Sequence, residues 1–341
     1  MKPDQLLDRD AFRNGVFERD GHKCVICKAP AVDAHHIIER RLFPDGGYYL
    51  GNGASLCEVH HIKAEETTLS CEEIRAACKI ENIILPPHLY DDVCYDKWGN
   101  PFLDNGFQRA RGELFDDVSV QKILPNAVKD TFTKYLKYPR TYHLPWSPGL
   151  INDDRQMQST ERFVGKEVVV TVKMDGENTT MYDDYMHARS LTSEMEPSKH
   201  WVKNLHGQKG WEFPTGWRFC GENLYAKHSI AYDKLKTFFM LFSIWTQENW
   251  CCSWDETVAW ADMIGFQTVP VIYEGIYDEE KIKGLYTPTY DGHEMEGYVV
   301  RLRSAFHYKD FRHVVGKYVR KNHVQTNEHW KRTWVPNKLA E

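Results

Sequence analysis

A β-branched run, Val168-Val169-Val170-Thr171-Val172, delivers Lys173 into the stretch Lys173-Met174-Asp175-Gly176-Glu177-Asn178. A lysine carried by a strand into K-x-D-G can act as a covalent acceptor for a nucleotide. An ordinary lysine, with a pKa of about 10.4, is neutral and nucleophilic in only roughly 0.04 % of molecules at pH 7. Burial or neighbouring cations are therefore expected to depress it, each unit raising the reactive fraction about tenfold. Attack on the α-phosphate of a nucleoside triphosphate also builds charge on the phosphate oxygens and the departing pyrophosphate. A divalent metal and further Lys or Arg groups should converge on the same place.

Later stretches supply such groups in one order. A β-patterned segment ends in His187-Ala188-Arg189-Ser190, and Gly221-Glu222-Asn223 brings a carboxylate after a glycine. Phe238-Phe239-Met240-Leu241-Phe242-Ser243-Ile244-Trp245 reads as an apolar aromatic strand, and Glu296 leads the strand Gly297-Tyr298-Val299-Val300-Arg301. Val314-Val315-Gly316-Lys317-Tyr318-Val319-Arg320-Lys321 closes the series with cations on a β-patterned run.

Taken together, residues 135 to 335 resemble the nucleotidyltransferase domain of ATP-dependent RNA ligases, within the wider ligase and mRNA-capping superfamily. The resemblance implies that Lys173 becomes a lysyl-adenylate and that Asp175 and Gly176 shape its turn. It implies that Arg189 contacts the phosphate or the RNA end and that Glu222 contacts the ribose or a metal. Phe242 is the implied base-stacking ring, with Phe238 and Phe239 as competitors that spacing leaves open. Glu296 would bind the catalytic metal or orient the lysine, and Lys317 would hold the α-phosphate. Relatives often place two lysines one residue apart in this last motif. Here Val319 stands two positions after Lys317, which leaves Arg320 or Lys321 as the second cation.

The N-terminal part carries a second constellation. Cys24-x2-Cys27 and Cys57-x2-His60 offer four soft ligands in two close pairs, a pattern suited to tetrahedral Zn²⁺. Between them lie His35-His36 and Asn52, and His61 follows His60 directly. Residues 10 to 66 resemble an HNH (ββα-metal) nuclease domain built around a zinc knuckle. That resemblance implies His36 as general base, Asn52 as its orienting residue, and His35 with His61 as ligands of a catalytic metal. Relatives often carry aspartate in place of His35 and a fourth cysteine in place of His60; imidazole is an accepted ligand in both kinds of site. Exchanging the roles of His60 and His61 satisfies the spacing equally well.

The expected fold class is α+β: an N-terminal HNH-like ββα-metal domain (1–69), a folded connector (70–134), then an antiparallel-sheet, ATP-grasp-like ligase domain (135–341) without a C-terminal OB domain. In the connector, Ser70 and Glu73 form a predicted capping box, and Trp98-Gly99-Asn100-Pro101 signals a turn. Ser253 and Glu256 form a second box, and Thr268-Val269-Pro270-Val271-Ile272-Tyr273 reads as a strand near a sheet edge because of Pro270.

The 341 residues, 42 % of them apolar, are enough for two or three domains with real cores. Neither a signal sequence nor an apolar run of the ~20 residues a membrane span needs is visible. Of nine cysteines, three are assigned to zinc, and the others show no paired spacing. Reduced thiols in a cytoplasm are the expectation. The net charge of −6 hides an asymmetry: residues 301–338 hold ten Lys or Arg against two Asp or Glu, a net of +8. This basic end, with Lys317, Arg320, Lys321, Lys331 and Arg332 interleaved with Trp330 and Trp334, suits RNA as the partner.

The expected function is ATP-dependent joining of 5′-phosphate to 3′-hydroxyl RNA ends with Mg²⁺ or Mn²⁺, the HNH-like domain trimming or gripping those ends. The alternatives are a metal-dependent endonuclease whose second domain only recognises ends, a DNA ligase or capping-type nucleotidyltransferase, and a zinc-bearing nucleic-acid binder.

Overall fold

The structure, a computed structural model, describes residues 4–103, 106–151, 154–191, 196–321, 323 and 334–340. Trp330, Lys331 and Arg332 of the basic end lie outside the described residues. The chain divides into two compact units, Met1–Leu136 and Lys137–Glu341.

In the first unit, helix α1 (Arg9–Arg19) starts where the Asp8 side chain accepts from the Ala11 amide. Strands β1 (Asp33–His36) and β2 (Gly53–Leu56) pair antiparallel, with His36 opposite Gly53, and helix α2 (Glu58–Glu65) follows directly. Helix α3 (Cys71–Cys78) opens on the Ser70–Glu73 capping box that the sequence predicts. Residues 70–136 belong to this first unit: Ile74 and Tyr95 share a buried cluster with Ile37, Ile38 and Leu56. Trp98 Nε1 donates to the Glu65 carbonyl at 2.9 Å. Two short helices, α4 (Val118–Ile123) and α5 (Asn126–Lys129), complete it.

The second unit begins with β3 (Tyr142–His143), then β4 (Glu167–Lys173), β5 (Glu177–Met181) and β6 (Met186–Ala188). Helix α6 (His200–Lys209) leads to β7 (Arg218–Asn223), β8 (Phe239–Trp245) and β9 (Trp250–Cys251). Helix α7 (Trp254–Ile264), opened by the Ser253–Glu256 box, precedes β10 (Gln267–Thr268) and β11 (Val271–Ile276). Then come α8 (Glu279–Lys283), the hairpin of β12 (Thr289–Tyr290) and β13 (His293–Glu294), β14 (Gly297–Leu302), β15 (Phe306–His307), α9 (Phe311–Val314) and β16 (Val315–Val319).

These strands make two large sheets. One has the order β11-β4-β14-β16-β3; the other runs β15-β9-β8-β7-β5-β6 with β10 added against β8. Most pairings are antiparallel, but β3–β16 and β8–β10 are parallel, so the sheets are mixed. The Val168–Val172 run is interior to its sheet, between β11 and β14, and buried along its length, which is why it reads as continuous rather than alternating. It packs with Trp245, Tyr298 and Val300 in the main core.

The single strand read across Thr268–Tyr273 is two strands in different sheets, β10 and β11, with Pro270 between them. Proline has no amide to donate. Its carbonyl accepts from the Val172 amide at 2.8 Å while the chain crosses from one sheet to the other.

Candidate active site

A cleft of about 570 Å³ opens between the two sheets of the second unit. Lys173 enters it from the end of β4, and its Nζ donates to both oxygens of Glu296 at 2.5 and 2.6 Å. Register explains the meeting: Gly297 on β14 is paired with Lys173, so Glu296 emerges beside it. Glycine is required at 297 because a Cβ there would collide with the Tyr318 carbonyl of β16. Gly176 likewise lies so close to β7 that a Cβ would run into the Asn223 carbonyl, and its amide donates to Glu222 Oε1 at 3.1 Å. Asp175 is buried and held in place; its Oδ2 accepts from the Ser229 hydroxyl at 2.9 Å and the Ile230 amide at 2.6 Å.

The electrostatics differ from the expectation of a depressed lysine. Burial alone would push the Lys173 pKa down, but Glu296 and Glu222 outweigh it and hold the ammonium above its ordinary value. The carboxylates bear the cost. Burial pushes Glu222 up to about 8, only partly opposed by Lys173, because Glu296 and Asp175 add further negative charge. Three carboxylates thus converge on one partly buried ammonium, and that surplus of oxygen ligands suits a divalent cation. Asp175, Glu296 and His323 offer ligand atoms within 4.8 Å of one another.

Among the remaining residues read from the sequence, Arg189, Phe242 and Lys317 line the cleft. Phe238 and Phe239 lie in the core, so Phe242 is the one ring of the three that faces the space. It meets Tyr138 edge-on at 5.1 Å. Arg320 does not reach the cleft and pairs with Glu294 at 2.6 Å; Lys321 is exposed on a turn.

Three residues that the sequence reading missed do converge there. His323 Nε2 sits 3.2 Å from Glu296 and 3.9 Å from Asp175, where a second cation would be sought. Asp154 fixes Lys317, accepting from its Nζ at 3.1 Å, and is itself 3.0 Å from Nε2 of the buried His143. His323 follows Lys321 by two positions, a signal that could have been read; nothing in the spacing marks Asp154 or His143.

The first unit holds two further clusters. Ligand atoms of Cys24, Cys27, Cys57 and His60 gather within 4.8 Å. Cys27 and Cys57 sulfurs are 3.7 Å apart, and His60 Nδ1 is 3.2 Å from Cys57 Sγ and 3.6 Å from Cys24 Sγ. His60, not His61, takes the fourth place. His61 faces the other way on α2, joining His35 and Glu65 in a separate group.

His36 packs flat on Phe12 at 4.5 Å, and burial pushes its pKa down to about 4, leaving a neutral imidazole. Among the described residues Asn52's side chain bonds to backbone rather than to that ring. Its Oδ1 accepts from the Ile38 amide and its Nδ2 donates to the Ile38 carbonyl, both at 2.9 Å, so it pins the backbone just beyond β1. All nine cysteines are free thiols.

The RNA ligase family model matches residues 166–319. That segment runs from β4 through β16 and carries Lys173, Glu222, Phe242, Glu296 and Lys317. No curated protein sequence matches the chain.

Solved structures of an RNA ligase from Naegleria gruberi are similar to it. One mutant with ATP and Mn shares 16 % identity over 47 % of this chain and 51 % of that one, with a TM-score of 0.35. A second mutant with ATP and Mn shares 17 % over 56 % and 57 %, with a TM-score of 0.39. A third, with AMP and Mn, shares 15 % over 55 % and 56 %, with a TM-score of 0.37. The chain spans about half the length of these structures. No helix among the described residues is long and apolar enough to cross a membrane.

Proposed function

We propose that the chain is an ATP-dependent RNA ligase. The observation that carries this reading is Lys173 at the floor of the intersheet cleft, bonded to both oxygens of Glu296, inside the segment that the RNA ligase family model matches. In the first step the neutral Lys173 amine forms an N–P bond to the α-phosphorus of ATP, the α–β P–O bond breaks, and pyrophosphate leaves. A 5′-phosphate oxygen of the RNA then attacks that phosphorus, breaking the N–P bond and recovering the amine. Finally the 3′-hydroxyl attacks the activated 5′-phosphate, and AMP leaves.

The chain's residues have separate tasks in this scheme. Glu296 accepts the proton that Lys173 must lose, since it already holds the ammonium. Lys317, aimed by Asp154, draws the α-phosphate, and Arg189 the RNA end. Phe242 stacks on the adenine. Mg²⁺ or Mn²⁺ held by Glu222, Glu296 and Asp175 would neutralise charge on the triphosphate. In the first unit, Cys24, Cys27, Cys57 and His60 would hold a structural Zn²⁺, and the HNH-like fold around it grips or trims RNA ends.

Incubation with α-labelled ATP tests the ligase. Label should become covalently bound to the wild-type chain, stable to alkali and released by acid as a P–N bond requires, and be absent from Lys173→Ala; a GMP adduct from α-labelled GTP, supplied separately, would instead select capping chemistry, and no adduct would end the ligase reading. Cleavage of RNA or plasmid, compared between wild type and His36→Ala, tests whether the first unit cuts. Equal cleavage by both would remove His36 as a base.

A further inference from the structure

Asp96-Lys97-Trp98-Gly99-Asn100 forms a turn in the first unit whose backbone is fixed several times over. Asp96 Oδ1 accepts from the amides of Trp98 at 2.9 Å and Asn100 at 3.0 Å, and Oδ2 accepts from Arg109 at 3.0 Å. Gly99 supplies the left-handed conformation, φ 78°, that such a turn needs. Nothing in this turn calls for a lysine at 97, and a lysine beside a turn normally reaches water.

Lys97 instead points inward and is 5 % exposed. Its Nζ stands 3.0 Å from Glu65 Oε1 and 3.5 Å from Glu39 Oε2, and donates to the His36 carbonyl at 3.1 Å. Three acceptors thus face its three N–H groups.

Glu65 Oε1 is also the atom on which the two histidines converge, His35 Nδ1 at 3.4 Å and His61 Nε2 at 3.5 Å. His61 is steadied from its other side by Asp33 Oδ2 at 3.0 Å. His35 is 2 % exposed, and its Nε2 is buried with no hydrogen-bond partner among the described residues. By donor type, two imidazoles and a carboxylate would suit a divalent ion. The buried ammonium already occupies the electrostatic role that such an ion would fill.

We propose that Lys97 is the resident cation of the His35–His61–Glu65 cluster and that it excludes divalent metal from that centre. The proposal rests on reading residues 10–66 as HNH-like, and it refines that reading. An ion bound by these three side chains would share Glu65 Oε1 with the ammonium, and like charges repel strongly where water is excluded. The ammonium is held there by its three acceptors, in a turn whose residues 95–100 are all buried. Without a divalent ion at that centre, the first unit lacks the metal that HNH-type cleavage needs.

The test is Mn²⁺ binding to the full-length, zinc-loaded chain, followed by calorimetry and electron paramagnetic resonance. It compares wild type, Lys97→Met, Lys97→Arg, Glu65→Gln and the Lys97→Met/Glu65→Gln pair. Any Mn²⁺ in the ligase cleft is common to all five and cancels. Lys97→Met should gain one site, about tenfold or more tighter than any Glu65-dependent site of wild type, and the double variant should lose it. Lys97→Arg, which keeps the charge, should gain nothing.

A wild-type site already lost in Glu65→Gln and no tighter in Lys97→Met would overturn the proposal yet leave an HNH-like metal centre standing. No Glu65-dependent site in either protein would overturn the metal-centre reading as well. Zinc content and circular dichroism report whether Lys97→Met folds. Should it not fold, Lys97→Gln, which also removes the charge, takes its place and is judged by the same outcomes.

Discussion

Gly176→Ala isolates one physical reason for the K-x-D-G turn. The backbone at Gly176 is not in the left-handed region, so alanine carries no conformational penalty there. What it meets is β7: its Cβ would collide with the Asn223 carbonyl oxygen and lie 2.9 Å from Leu224 Cδ2 and 3.1 Å from the Asn223 carbonyl carbon. Relief requires the turn to retreat by roughly 1 Å to reach ordinary contact distances of about 3.5–4 Å. That retreat lengthens the 3.1 Å bond from the Gly176 amide to Glu222 and tilts the strand end that carries Lys173.

A displacement of that size in a reacting group costs about 100-fold in rate, or about 2.7 kcal/mol. Overpacking strain of about 1–3 kcal/mol should lower the melting temperature by about 2–4 °C per kcal/mol for a unit of this size. The assay is single-turnover transfer of label from α-labelled ATP to the chain, with a thermal melt on the same preparation. Adenylation within about threefold of wild type would refute the argument that close approach to β7 sets the lysine's position.

Glu222→Gln should abolish adenylation yet raise thermal stability in alkaline buffer. Because folding raises the Glu222 pKa to about 8, its carboxyl favours the folded state fully only below its unfolded value of about 4.3, and that contribution is lost as pH rises through 8. Melts at pH 6 and pH 9 check this, and a variant less stable than wild type at pH 9 contradicts it. Asp154 behaves oppositely: burial raises its pKa, but His143 and Lys317 outweigh that and hold it well below the usual carboxylate range. Its contribution is present above about pH 4 and lost in acid, so Asp154→Asn should flatten the acid limb of a melting-temperature profile between about pH 5 and 2. An unchanged acid limb would mean that the Asp154–Lys317 pair contributes nothing to stability. Chelation, or Cys57→Ser, should release one Zn²⁺ per chain, measured with a colorimetric zinc indicator, and expose the first unit to proteolysis; a wild-type chain free of zinc would remove the four-ligand reading.

Local sequence determined much of this protein because some signals need only neighbours. The capping boxes at Ser70 and Ser253 close within one helical turn, and the valine run before Lys173 is legible because a strand buried on both faces has no polar alternation. The two Cys-containing pairs are likewise short-range, though only the fold of α2 assigned His60 to the cysteines and turned His61 toward Glu65.

Tertiary structure decided what depends on register and on charges brought from afar. Phe242 separated from Phe238 and Phe239 only when β8 took its place beside the cleft, and Pro270 divided one apparent strand between two sheets. The sign of the Lys173 shift could not be read from K-x-D-G, because it is set by Glu222 and Glu296, far along the chain. Asp154 and Lys97 carry no motif at all. A lysine in a turn looks solvated until long-range packing removes the water around it, and only then does the placement of its single charge against Glu65 become a property of the site.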